Sequence, residues 1–220
     1  MPEFSLIKLG IFVRGPDNAD SRLARGGPMD VSKPEGDRGS AHLLQLIEKA
    51  FSRRPLPEMS LHQAHLADQS MSREISNDEW RRAGELDAAR SWKELSDDEL
   101  MACDTALSHF DEPSFVYHLP AYLLFALRHC AVEWSHPAWS LVGSVVFSVT
   151  HRTPYTLARF KKLNAEQRAA VVGFLQYVAE SRTDSIASGA HKALARYWMT
   201  DEAAKPLVII PDKNGSGKRK

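Results

Sequence analysis

Cysteine is scarce in this chain: among 220 residues only Cys103 and Cys130 occur, far apart and without CxxC spacing. That argues against a disulfide framework, and the two thiols read as small buried hydrophobes of a reducing compartment. Net charge is missing too. Lys and Arg number 28 against 28 Asp and Glu, so no global field draws in nucleic acid or anionic lipid, and nucleic acid is not the expected partner. The N-terminal MPEFSLIKLGIFVRG lacks what a secretory signal requires, because Lys8 and Gly10 interrupt its apolar run and no basic region precedes it. The expected location is therefore the cytoplasm, with Leu6 to Val13 either a short strand or unordered upstream sequence. No membrane-spanning run is present: the most apolar stretch, Phe115 to Leu127, is thirteen residues long and contains His118 and Pro120. No repeat period points to a solenoid.

Catalytic signatures are equally thin. Ser135 lies before His136 and Pro137 without a GxSxG elbow, which leaves a hydrolase triad unsupported. The terminal KNGSGKRK is no Walker loop, since Asp212 stands five before Gly217 and no helix can follow. No cofactor is expected.

What the chain does have is FVYHLPAYLLFAL, apolar on every side of a helix, and such a helix has to be enclosed by other elements. A composition of 43% hydrophobic and 25% charged residues suits one globular core. Residues 1–39 read as a flexible leader, being dense in Gly, Pro, Asp and Arg from Arg14 onward. Residues 40–199 form the helical domain and 200–220 a C-terminal tail. The first helix starts at Ser40, with Leu43, Leu44, Ile47, Ala50 and Phe51 on one face, and stops before Pro55 and Pro57. A second spans Leu61 to Met71. Ser76 and Ser96 each open a helix through a serine followed three residues later by glutamate. The stripe Leu100, Cys103, Leu107 and Phe110 then leads to Asp111, a cap for the central helix, with Pro113 in its first turn. Pro120 predicts a kink or a restart.

After the turn at Trp134 to Trp139, SLVGSVVFSVT is compatible with a strand or an irregular helix. A short basic helix from Tyr155 to Leu163 comes next. A strong helix capped by Asn164 and Gln167 follows, and a last one carries Ile186, Ala190, Ala193, Leu194, Tyr197 and Trp198. The predicted fold is all-α, a bundle of about seven or eight helices around a central apolar helix.

Several blocks together resemble a family of small, functionally uncharacterised bacterial proteins. They are LLQLIEKAF from Leu43, Trp92 before SDDEL, FVYHLPAYLLFAL, LNAEQRAAVVGFLQYV from Leu163 to Val178, and ALARYW from Ala193 to Trp198. The resemblance spans roughly Ser40 to Trp198 and is most specific at the aromatic-LPAYL block. Where that block usually carries two adjacent aromatics, this chain has Tyr117 and then His118. The resemblance implies a shared architecture and a bacterial source and transfers no activity.

Three constellations carry candidate chemistry. His62, His65 and Asp68, at i, i+3 and i+6, are sensible ligands for a divalent ion, with Glu74, Asp78 or Asp87 as completions, although a wet helix face explains them as well. His109, His118 and His129 lie in or beside the central region, where a core histidine bonded to a backbone carbonyl is favoured over acid–base work. The third is charge segregation. Asp87, Glu94, Asp97 and Asp98, with Glu99 and Asp104, precede the central run, while Arg152, Arg159, Lys161 and Lys162 follow it with Tyr155 and Phe160 interleaved. Complementary patches of this kind suit a protein partner.

The expected function is therefore non-enzymatic protein binding, with an antitoxin or immunity protein that blocks a cognate toxin as the suggested role. The alternative is a metal-dependent hydrolase using the His/His/Asp cluster. An oligomer-forming subunit, with Trp134, Trp139 and Trp198 facing a second copy, is a third reading.

Overall fold

The computed structural model describes residues 35–52, 57–87 and 91–200. The Leu6 to Val13 segment, most of the expected leader and all but the first residue of the expected tail lie outside them. Among the described residues there are ten α-helices and no strand. They are α1 (Glu35–Ala50), α2 (Leu61–Gln69), α3 (Asn77–Glu85), α4 (Asp97–Ala102), α5 (Ala106–His109), α6 (Glu112–Arg128), α7 (Ala138–Thr150), α8 (Pro154–Lys161), α9 (Ala165–Ser181) and α10 (Ser185–Ala193). None of them is long and apolar enough to cross a membrane.

The centre is α6. Every residue from Ser114 to Leu127 is buried, and the helix is wrapped by α1, α4, α5, α7, α8, α9 and a 3₁₀ turn at Trp92–Glu94. Asp111 caps it by accepting from the Ser114 N–H, and Pro113 sits in the first turn, as its missing donor allows. Pro120 produces no restart: α6 is one helix from end to end. Contacts on all sides outweigh the roughly 3 kcal/mol that a proline costs in a helix interior.

The other helices start where local chemistry satisfies their free amides. Ser76, Ser96 and Asn164 form reciprocal capping boxes with Glu79, Glu99 and Gln167, and Ser60, Ser91 and Thr153 do the same. The first helix begins at Glu35, ahead of Ser40. The single helix expected through Leu100 and Phe110 is two, α4 and α5, because the Cys103 carbonyl accepts from the Tyr122 hydroxyl at 3.0 Å and from the Ala106 N–H at 3.1 Å. The Val- and Ser-rich stretch is a helix, α7. It buries Leu141, Val142, Val145, Val146 and Val149 at helical spacing, and that packing overrides the β-branched preference. Where α2 meets α3, Gly84 leaves room for Gln63: a Cβ there would stand 2.8 Å from Gln63 Nε2 and shift the side chain that donates to the Trp80 carbonyl.

The last helix widens into a π turn over Leu194–Trp198, so that Tyr197 and Trp198 are both buried. Trp198 Nε1 donates to the Val149 carbonyl at 2.8 Å, so this tryptophan faces the core and not a second copy.

Two buried polar side chains depart from expectation. Arg159, grouped above with a basic surface patch, is only 2% exposed and does not belong to any partner-facing surface. Its Nη1 donates to the Leu107 and Ser108 carbonyls at 3.0 and 3.3 Å, at the C-terminus of α5, and the guanidinium lies over the Phe115 and Tyr155 rings at 4.6 and 4.4 Å. Backbone dipoles and π faces thus compensate a charge with no carboxylate beside it, and burial lowers its pKa. His118 stacks on Phe110 at 4.4 Å, and its ring nitrogens are buried without a well-formed hydrogen bond, the Met59 backbone being the polar group that acts on them. Burial is the main cause that holds its pKa down to about 4; the charges of Asp87 and Asp111 and the Met59 backbone pull weakly the other way.

Removal of Arg159 strands several buried carbonyls and leaves a hole, so Arg159→Ala is expected to cost about 3–5 kcal/mol in urea unfolding; a loss below about 0.5 kcal/mol would place this side chain at the surface. For His118 the unfolded chain binds the proton more readily than the fold. Its contribution is therefore complete above the ordinary value of 6.5 and is lost as pH falls towards 4. The unfolding free energy of wild type minus that of His118→Phe is expected to drop by roughly 3 kcal/mol across that interval, and a pH-independent difference would mean the imidazole is solvated.

Candidate functional site

The α2 face that carries His62, His65 and Asp68 does not converge on one point. The capping box at Ser60 starts the helix, after which the three side chains turn to different neighbours. His62 Nδ1 lies 2.9 Å from both oxygens of Asp87, and Asp87 also accepts from the His62 backbone N–H at 2.8 Å. Against a carboxylate this ring nitrogen carries the proton. His65 Nε2 accepts from Gln69 Nε2 at 2.8 Å, and its Nδ1 is buried without a partner. Asp68 points to α5, where it pairs with His109 Nε2 at 2.8 Å and accepts from Thr105 Oγ1 at 2.8 Å. Among the described residues no three His, Cys, Asp or Glu side chains are grouped to hold a metal ion. The expected His/His/Asp centre is thus two separate histidine–aspartate pairs that fasten α2 to the segment after α3 and to α5. Asp87, expected on an acidic partner surface, has a side chain only 7% exposed because it is used on His62.

Burial, reinforced by the negative charges of Asp87, Glu99 and Asp104, pushes the Cys103 thiol up to about 11, which leaves it protonated and inert.

The charged residues sort to the two ends of α6, a helix of 17 residues and so about 25 Å long. At the C-terminal end Asp97, the first residue of α4, pairs with Arg128 and with His129 Nε2, the latter at 2.7 Å. Burial alone would raise the Asp97 pKa, but Arg128 and His129 hold it below the usual carboxylate range. Glu94 and Asp98 are exposed beside it in sequence. At the N-terminal end Lys162 Nζ pairs with Glu112 at 2.9 Å, Lys161 is half-buried, and Arg152 donates to the Arg196 carbonyl at 3.1 Å while lying over the Tyr197 ring. Asp97 and Lys162 therefore stand at opposite ends of α6.

The turn after α6 carries Trp134, 80% exposed, on the rim of a cleft of about 380 Å³. Trp139, Glu133, Arg182 and Asp184 line the same cleft. Arg182 fastens the turn to the α9–α10 junction: its Nη1 donates to the Cys130 carbonyl and, at 3.1 Å, to the Val132 carbonyl, while its Nε donates to Asp184 at 3.1 Å. The bond from Arg182 keeps Asp184 well below the ordinary carboxylate range, even though burial opposes it, and Asp184 in turn caps α10. Trp139 Nε1 points to the same carboxylate at 3.4 Å, and His136 stacks 6.0 Å from His129. The Asp184 cap was legible in TDSIAS; the reach of Arg182 across 52 residues to Cys130 leaves no sequence signal.

Substitution Asp87→Ala should release His62 and speed hydrogen exchange at the His62 amide about tenfold or more while the α6 amides keep their protection. Unchanged exchange at His62 would show that the pair does not fasten the helix.

No curated protein and no solved structure matches the chain. Over residues 40–202, which include every described residue of the α2 face, of the cleft and of both ends of α6, the sequence matches the family of unknown function DUF6714, and the chain belongs to that family.

Proposed function

We propose that this chain is a binding protein of a bacterial cytoplasm that holds a protein partner at the acidic end of α6, with Trp134 as the anchor. The observation that carries this reading is a large aromatic side chain left in water on a turn that Arg182 locks in place. Tryptophans are enriched among the few interface residues that supply most of the affinity. The turn is ordered before binding, so little conformational freedom is lost when a partner closes over it. Around Trp134 the cleft carries Glu133, Arg182 and Asp184, polar groups beside an aromatic anchor. The partner chemistry that fits is an apolar pocket flanked by basic residues.

Two unpaired buried cysteines, Cys103 and Cys130, agree with a reducing compartment. Blocking a toxin by covering its active site is one form of such binding and adds a second readout.

Native purification of the untagged chain is expected to bring down one protein in near-stoichiometric amount, with at least a tenfold loss for Trp134→Ala at unchanged melting temperature. Equal capture by the variant, or no partner with wild type, would overturn this reading. For the toxin-blocking form, co-expression with the captured protein should rescue growth with wild type and fail with Trp134→Ala.

A further inference from the structure

The cleft that has Trp134 on its rim is built where two long helices finish. Cys130 and Ala131 follow the last turn of α6, Ser181 is the last residue of α9, and all three line the cleft. A helix C-terminus leaves its final carbonyls without intrahelical donors and carries a partial negative charge. Two such ends give the cleft the polarity that attracts a cation. The N-terminus of α10, of opposite polarity, is already answered by Asp184, which accepts from the Ile186 and Ala187 amides.

The side chains strengthen this bias. Glu133 and Asp184 line the cleft, and among the described lining residues Arg182 is the one cation. Arg182 is turned inward: its side chain is 7% exposed, and its donors go to the Cys130 and Val132 carbonyls and to Asp184. It has little to offer an anion arriving from outside. Toward the opening stand Glu133, which is exposed, and Asp184, whose side chain keeps 35% of its surface in water. The other walls are two indoles, the exposed Trp134 and the half-buried Trp139, whose Nε1 points to Asp184. Of the aromatic side chains, indole attracts a cation to its face most strongly.

We propose that this cleft is a guanidinium site that receives an arginine side chain of the protein partner. A planar, weakly hydrated guanidinium stacks on an indole while its edge donates to a carboxylate, a combination that Trp134 and Glu133 supply and that the compact ammonium of lysine uses less well. An apolar side chain would desolvate the carboxylates without giving them donors. An anion would meet Glu133 and two helix C-termini. The fold holds its own precedent in Arg182, a guanidinium that already takes carbonyls just beyond the end of α6. The inference rests on the reading of Trp134 as the anchor for a protein, and names what that protein places beside it.

The probe is N-acetyl-arginine methylamide, titrated into the full ¹⁵N-labelled chain and followed at the tryptophan indole N–H resonances. Saturable shifts are expected at Trp134 and Trp139 and none at Trp92 and Trp198, with a dissociation constant on the order of 1–10 mM. The citrulline derivative, nearly the same shape without the charge, and the lysine derivative should each bind at least fivefold more weakly. Glu133→Gln should weaken arginine binding at least threefold at the melting temperature of wild type. Shifts that do not saturate, a citrulline or lysine derivative that matches arginine, or full affinity in Glu133→Gln would each overturn the proposal. The titration needs no partner, so the two readings fail separately. A chain that binds the arginine derivative but captures no protein loses only its role as a binding protein, and capture through Trp134 without arginine binding loses only the guanidinium site.

Discussion

A helix that is apolar around its whole circumference cannot be left at a surface, and α6 imposes that condition on everything near it. Its buried length draws seven elements inward, and the few polar groups that come with it are disposed of inside. The Tyr117 hydroxyl accepts from the Trp92 N–H at 3.2 Å, the Tyr122 hydroxyl donates to the Cys103 carbonyl, and His118 stays neutral against Phe110. These bonds shape the surroundings too: the one from Tyr122 coincides with the break between α4 and α5. With the centre filled in this way, chemistry is pushed to the two ends of α6 and to faces that do not touch it.

Much of this was legible in the chain itself. All-round hydrophobicity identified the central helix, and serine or asparagine followed by glutamate or glutamine located helix starts, since capping is decided within four residues. What failed was whatever depends on distant neighbours. Arg159 reads as one more cation beside Lys161 and Lys162, because nothing local reports that carbonyls at the end of α5 and two aromatic rings await it. Asp87 reads as part of an acidic run, yet His62, 25 positions away, takes both its oxygens. The helical spacing of His62, His65 and Asp68 does place them on one side of α2, but i and i+6 are about 120° apart around a helix. Neighbours on either flank separate them. In α7 the helical spacing of the buried residues was present all along, masked by valines and serines that locally favour extended chain.

The segregation of charge noticed in the sequence survives with a different meaning. Several of these charges are spent on internal pairs, Asp87 with His62 on α2, Asp97 with His129 at one end of α6 and Lys162 with Glu112 at the other. What remains outward at the acidic end is a tryptophan beside a cleft that carries carboxylates.

Arg182 ties the aim of Trp134 to a place remote from it in sequence. Since the carbonyls of Cys130 and Val132 are fixed by a guanidinium rooted between α9 and α10, a deletion or insertion in the three residues that join those helices would swing the tryptophan without altering the turn that bears it. Relatives in which that junction differs in length should therefore present this side chain at another angle and discriminate among partners differently, even with residues 131–137 identical.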